Sequence, residues 1–213
     1  MKKGFTLIEL LVVITLIGIL AIAVLSALNP IEQINKARDA RKRADSSQVL
    51  KAVDRYFASN EKFPWNNYDD YNTSVDLEFG GTADLVGVGI CGNGATTTAL
   101  ADGNGTGGCT EDGYLITTQE LKSQFGKRDY FKDTALDADK LQVYKAAADP
   151  SVSVCFIPAS KATRDTAGAV GTALKTLTFT GGYVSEIAEC SVAPAADEWA
   201  DPGTACFACI PEE

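Results

Sequence analysis

Six cysteines, a lone acid inside an apolar run and a few acidic pairs are the residues of this 213-residue chain whose types could do chemistry. Histidine is absent, which removes histidine-based triads, histidine metal ligands and any histidine pH switch. Cys91, Cys109, Cys155, Cys190, Cys206 and Cys209 suit an oxidising compartment, where they pair as structural disulfides. Proximity favours Cys91 with Cys109, a clamp on the glycine-rich segment between them. Cys206-x-x-Cys209 also has the form of a redox motif or half a zinc site. A zinc ribbon wants a second such pair and thioredoxin-like chemistry wants a βαβ context, and the sequence offers neither. Asp102-Gly-Asn104-Gly-Thr106-Gly107 resembles the start of a calcium loop, but the acid expected at loop position twelve falls on Gly113. Asp69-Asp70 and Asp197-Glu198 have no constellation around them and read as solvated surface. No phosphate-binding G-x-x-x-x-G-K-[ST] occurs. The sequence thus calls for no cofactor and no metal, and points away from an enzyme.

The lone acid is Glu9, the only charge in residues 5–28, of which 19 are apolar. At about 1.5 Å rise per residue a helix of this length reaches roughly 36 Å, enough to cross a bilayer core of about 30 Å. Secretory signal peptides have shorter apolar cores, and no convincing small-x-small cleavage site follows here, so the block reads as a retained membrane helix. A carboxylate one turn inside it costs about 2.5–3.5 kcal/mol on insertion scales and should have a partner. The next basic residue is Lys36. Gly4 places a small, flexible peptide bond between the basic Met1-Lys2-Lys3 and the apolar block. Cleavage after Gly4 would create an ammonium at Phe5, one turn from Glu9. Helical geometry makes that contact awkward within one chain. Between chains staggered along their axes, the amine of one can neutralise the carboxylate of the next.

Lys3-Gly4-Phe5-Thr6-Leu7-Ile8-Glu9-Leu10-Leu11-Val12-Val13-Ile14 resembles the signature of bacterial type IV pilins and type II secretion pseudopilins. The resemblance is specific over residues 1–28 and looser as far as Pro64. It implies that a prepilin peptidase cuts after Gly4 and N-methylates Phe5, and that Glu9 registers one subunit against another. The implied partners are further copies of the chain, the inner membrane, and assembly machinery with a separate ATPase and platform protein. The implied fold is α+β: a long N-terminal helix, half transmembrane and half amphipathic, packed on a small antiparallel sheet with disulfide-stapled loops. The corresponding organisation is a leader at 1–4, a membrane and filament-core helix at 5–28, a stem at 29–60 and a globular head at 61–213. The expected role is a major-pilin-like subunit of a surface filament for adhesion, motility or DNA uptake. A secretion pseudopilin and a membrane-anchored monomeric binding module are the alternatives.

The elements that must position these residues are partly visible. Pro30 interrupts the helical pattern and pushes Asn29 away from helical backbone. Ile31, Ile34 and Ala37, then Leu50, Val53 and Phe57, resume it at spacings of three and four. Glu32–Lys36, Asp39–Arg43 and Arg41–Asp45 are i,i+4 pairs worth a few tenths of a kcal/mol each. Lys36, Arg38, Arg41, Lys42 and Arg43 spread around the helix at 100° per residue and form no single groove-reading face, so nucleic acid is not a specific ligand. They are a solvated stem, or they face the acidic heads of neighbours or lipid headgroups. The Phe63-Pro64-Trp65 step ends the stem. Eleven glycines in residues 80–113 predict an exposed, variable loop, and Thr117-x-x-Glu120 predicts a capped helix to about Phe125. Two hairpins are predicted. One joins residues 141–144 to 152–157 around Asp149-Pro150, and the other joins 174–180 to 183–184 around Gly181-Gly182.

The net charge of −9 is unevenly laid out, with +4 on residues 1–60 and −13 on residues 61–213. Five basic residues after the apolar block against two before it would place the head in the cytoplasm by positive-inside counting. The cysteines argue for the outside, and the family resemblance agrees with them. Gly4→Val is expected to leave the leader uncut, so that intact-mass analysis of membranes returns the full chain; a normally shortened chain would refute the cleavage assignment.

Overall fold

The computed structural model describes residues 4–27, 29–69, 74, 76–94, 97–147, 149–180 and 183–211. Met1-Lys2-Lys3, Leu28, Asp70 and the Gly181-Gly182 turn lie outside the described residues. Two helices lead the chain, α1 (Leu7–Ala27) and α2 (Pro30–Asn60). The proline starts the second helix. Asn29 is extended (φ −88°, ψ 91°) and its side chain accepts from the Glu32 N–H at 3.3 Å. Pro30 then occupies the first helical position, where its missing N–H costs nothing. At the far end Glu61 turns left-handed (φ 55°) and its N–H closes on the Phe57 carbonyl at 2.8 Å, after which Pro64 leads the chain away.

The upper half of α2 is the spine of the head. Val49, Ala52, Val53 and Tyr56 recur at three and four residues and are buried. Around the end of the helix, the rings of Phe57, Phe63, Trp65 and Phe79 stack in series with centroids 4.5, 4.7 and 4.4 Å apart. Trp65 is fully buried between its neighbours. Burying such a side chain contributes roughly 1.5–3 kcal/mol, with the ring contacts adding to it.

The strands are β1 (Phe79–Thr82), β2 (Cys91–Gly92), β3 (Asn104–Gly105), β4 (Gly108–Cys109), β5 (Glu111–Asp112), β6 (Gln142–Lys145), β7 (Val152–Phe156), β8 (Leu174–Thr180), β9 (Tyr183–Glu189) and β10 (Cys206–Ile210). Six form one antiparallel sheet in the order β1-β6-β7-β10-β8-β9, and the others make two small ribbons, β2-β5 and β3-β4. The architecture is α+β, a helix packed on an antiparallel sheet. In the β6–β7 turn, Asp149 accepts from the Ser151 N–H and hydroxyl at 2.9 and 2.7 Å, fixing the bend next to Pro150. The β8–β9 hairpin runs on to Glu189, with an irregularity at Thr178 and Phe179.

Two expectations are overturned. The glycine-rich segment is not a free loop: most of residues 79–92 are buried, and Gly80 and Gly81 lie in β1. Glycine serves close approach here. A Cβ on Gly80 would overlap the backbone of Val184 in β9, and one on Gly113 would overlap Gly89. Thr117 does not open a helix but closes one, α3 (Tyr114–Thr117). Its hydroxyl donates back to the Gly113 and Tyr114 carbonyls, the chain reverses at Gln119 (φ 67°), and Glu120 turns to meet Arg55 at 2.7 Å.

The stem acids reach beyond their own helix. Asp39 accepts the N–H groups of Ala159 and Ser160 at 2.7 and 2.9 Å, and Glu32 accepts those of Lys161 and Ala162 at 3.0 and 3.2 Å. Four consecutive amides at the start of the short helix α4 (Lys161–Arg164) are thus held by two carboxylates seven residues apart on α2. Higher up, the buried Asp45 accepts from the Tyr130 hydroxyl at 2.6 Å and lies 3.1 Å from the Arg128 guanidinium and 3.9 Å from that of Arg41. Burial first, and then the bond to Asp45, push the Tyr130 phenol far above its ordinary range.

Two outcomes follow from these contacts. The Lys161 and Ala162 N–H groups hold the Glu32 carboxyl below the ordinary glutamate value of 4.5, so its contribution is complete above that pH and is lost as pH falls through the lower, folded value. Hydrogen exchange should therefore show both amides protected at neutral pH and released in acid, with Glu32→Ala, which removes both acceptor oxygens, releasing them at all pH values. Gly80→Ala is expected to cost about 1–3 kcal/mol by overpacking, read as a lowered Tm. Gly107→Ala, whose Cβ meets nothing within 4 Å, should leave Tm unchanged.

Candidate functional site

The N-terminal motif is presented in the open. Gly4 and Phe5 precede α1 in non-helical backbone, and Phe5 is 80% exposed. A helix start leaves its first N–H groups without partners, and lipid supplies none. Thr6 and Glu9 solve this together. The Thr6 N–H and hydroxyl donate to one Glu9 carboxylate oxygen at 2.9 and 2.7 Å, and the Glu9 N–H donates to the Thr6 hydroxyl at 3.3 Å. This is a reciprocal capping box. It gives the costly carboxylate a partner inside its own chain. The other carboxylate oxygen makes no hydrogen bond among the described residues.

Thr6 is the residue that sequence reasoning missed. Its signal was present as Thr6-x-x-Glu9 immediately before an apolar run, the usual mark of a helix start. Farther along, the Thr15 hydroxyl donates to the Val12 carbonyl at 2.9 Å, so this helix hides its own polar group. Leu7–Val24 is long and apolar enough to cross a membrane, and none of it is buried against the rest of the chain.

The remaining sequence candidates are placed elsewhere. Cys91 is joined to Cys109, Cys155 to Cys209 and Cys190 to Cys206. Cys206 and Cys209 are three apart on β10, so they face opposite sides of the sheet and bond to different partners. Neither a redox pair nor half a zinc site remains. At the calcium-like loop, the Asn104 side-chain amide donates to Asp84 at 2.8 Å, and the Lys140 ammonium stands 3.3 Å from the same oxygen. A lysine thus supplies the positive charge that the buried Asp84 needs. Glu198 accepts from the Ala195 N–H at 2.6 Å and serves its own turn. In the basic run, Lys42 pairs with Asp139 of the head at 3.3 Å.

The chain's first 25 residues match the family model of the prokaryotic N-terminal methylation motif. No curated protein and no solved structure matches the chain. The motif implies processing by a prepilin peptidase and assembly into pilus or secretion machinery. That motif ahead of an apolar helix, with an α+β, disulfide-braced head behind it, supports a place for the chain among the type IV pilins and pseudopilins.

Proposed function

We propose that the chain is a structural, major-pilin-like subunit of a type IV pilus, polymerised through α1 into a helical surface filament for adhesion, motility or DNA uptake. The observation that carries this is α1 itself, a 21-residue helix with 17 apolar residues, of which Leu7–Val24 is covered by no part of the monomer. Such a surface belongs in lipid or among its own copies. Lipid tails are as apolar as leucine, so moving from bilayer to filament core changes little hydrophobic energy, and packing decides the balance. Head-to-tail contacts that do not close then grow an open helix.

In this reading the leader, residues 1–4, is removed after Gly4 and Phe5 is N-methylated. The mature chain waits in the inner membrane with its head outside. Glu9, whose second carboxylate oxygen is uncommitted, registers the incoming subunit against its neighbour. A head braced by three disulfides suits an oxidising compartment outside the inner membrane.

Two variants separate the capping role of Glu9 from its charge. Glu9→Gln keeps an acceptor at the third helical position, and Glu9→Leu removes it. Both should insert into membranes at wild-type levels and yield about tenfold fewer sheared surface filaments, counted by electron microscopy. Normal filament numbers from Glu9→Gln would sink the role of charge in registration.

A further inference from the structure

The stripe that α2 buries under its own head does not stop where the head stops. At 100° per residue, Ile31, Ile34, Arg38 and Lys42 fall within the same arc of about 100° as Asp45, Val49, Ala52, Val53 and Tyr56. Above Asp45 that arc is buried. Below it the head still covers Lys42, then crosses to the side of Asp39 and Glu32, and the lower end of the stripe is left uncovered: Ile31 is 69% and Ile34 55% exposed. It begins four residues beyond the end of α1, so it continues the apolar surface that the proposed filament would bury.

The stripe runs into a groove of about 420 Å³ between the stem and the chain following Arg128. Arg38, Arg41 and Lys42 form one wall, and Lys132 and Leu136 stand on the other. The two acids of the groove are already engaged, Asp129 with Lys132 at 2.7 Å and Asp139 with Lys42 at 3.3 Å. Arg41 lies 3.9 Å from an Asp45 that also binds Arg128. Arg38 has no hydrogen bond or ion pair among the described residues. Leu136 is 70% exposed beside these cations. The groove therefore combines excess positive charge with an uncovered apolar side chain.

We propose that this stripe and groove receive the acidic head of a second copy of the chain, with carboxylates on Arg38 and Arg41 and an apolar side chain between Ile34 and Leu136. Charge complementarity selects that occupant. Once the leader with Lys2 and Lys3 is removed, residues 5–60 carry +2 in side chains and residues 61–213 carry −13. Every copy thus offers both halves of the contact, as an open helical assembly requires. The inference rests on the filament reading above and adds to it the surface that sets how a neighbouring head seats on the stem.

The test uses filaments grown from a mixture of heavy- and light-nitrogen-labelled full-length chains carrying Arg38→Lys, which keeps the charge and adds an amine. A zero-length carbodiimide reagent then joins amines to carboxylates in contact. Mixed-isotope cross-links from the added amine or from Lys132 to acids within residues 61–213 are expected. Filaments in which these cross-links are absent, confined to one chain or made to another protein would overturn the docking surface and leave the filament reading standing. Absence of filaments from the wild-type chain would overturn both. In parallel, Arg38→Glu should lower filament yield about tenfold or more while membrane insertion and Tm stay at wild-type values. Wild-type yield from that variant would also overturn the proposal.

Discussion

One face of α2 must be covered, and the head is what covers it. Val49, Ala52, Val53 and Tyr56 turn toward the sheet, and the stacked rings of Phe57, Phe63, Trp65 and Phe79 seal the end of the helix. Polar contacts extend this grip downward in steps. Asp45 holds Tyr130 and Arg128, Asp39 holds Ala159 and Ser160, and Glu32 holds Lys161 and Ala162. The result is a head fixed to the stem almost to the residue where α2 begins. Whatever seats the stem therefore orients the whole head.

The anchor obeys the opposite rule. Among the described residues nothing covers Leu7–Val24 of α1, so its polar needs are met locally, by the Thr6–Glu9 box at its start and the Thr15 hydroxyl within it. Asn29 and Pro30 separate the two regimes, with a capped new helix start in place of a continuous rod. A helix that satisfies itself can exchange one apolar environment for another without first breaking contacts to its own head.

What the sequence disclosed follows the range of each interaction. The membrane-length helix, the proline boundary, the stem periodicity and both hairpins rest on local patterns and were legible. The glycine-rich segment reads ambiguously because glycine marks both loops and crowded backbone, and only the crossing of β9 over Gly80 distinguishes them. Glu32 and Asp39 were assigned to neighbours on their own helix. Their carboxylates also reach backbone amides 120 to 130 residues away, a relation no local pattern encodes. At the motif, Gly4, Phe5 and Glu9 stood out by type and spacing. Thr6 is less conspicuous, because a carboxylate in an apolar run calls first for positive charge, whereas here a neutral hydroxyl and an N–H partner it.

The strand order also has a consequence in time. β10, the last strand in the chain, is seated between β7 and β8 near the middle of the sheet, and two of the three disulfides tie it there. Until residues 206–210 emerge from synthesis, no strand ladder joins β1-β6-β7 to β8-β9, and each has an open edge where β10 will sit. A chain held at the membrane by its first helix would display those edges beside other nascent copies. The head is completed from its centre, and the final stretch of polypeptide is the keystone that closes it.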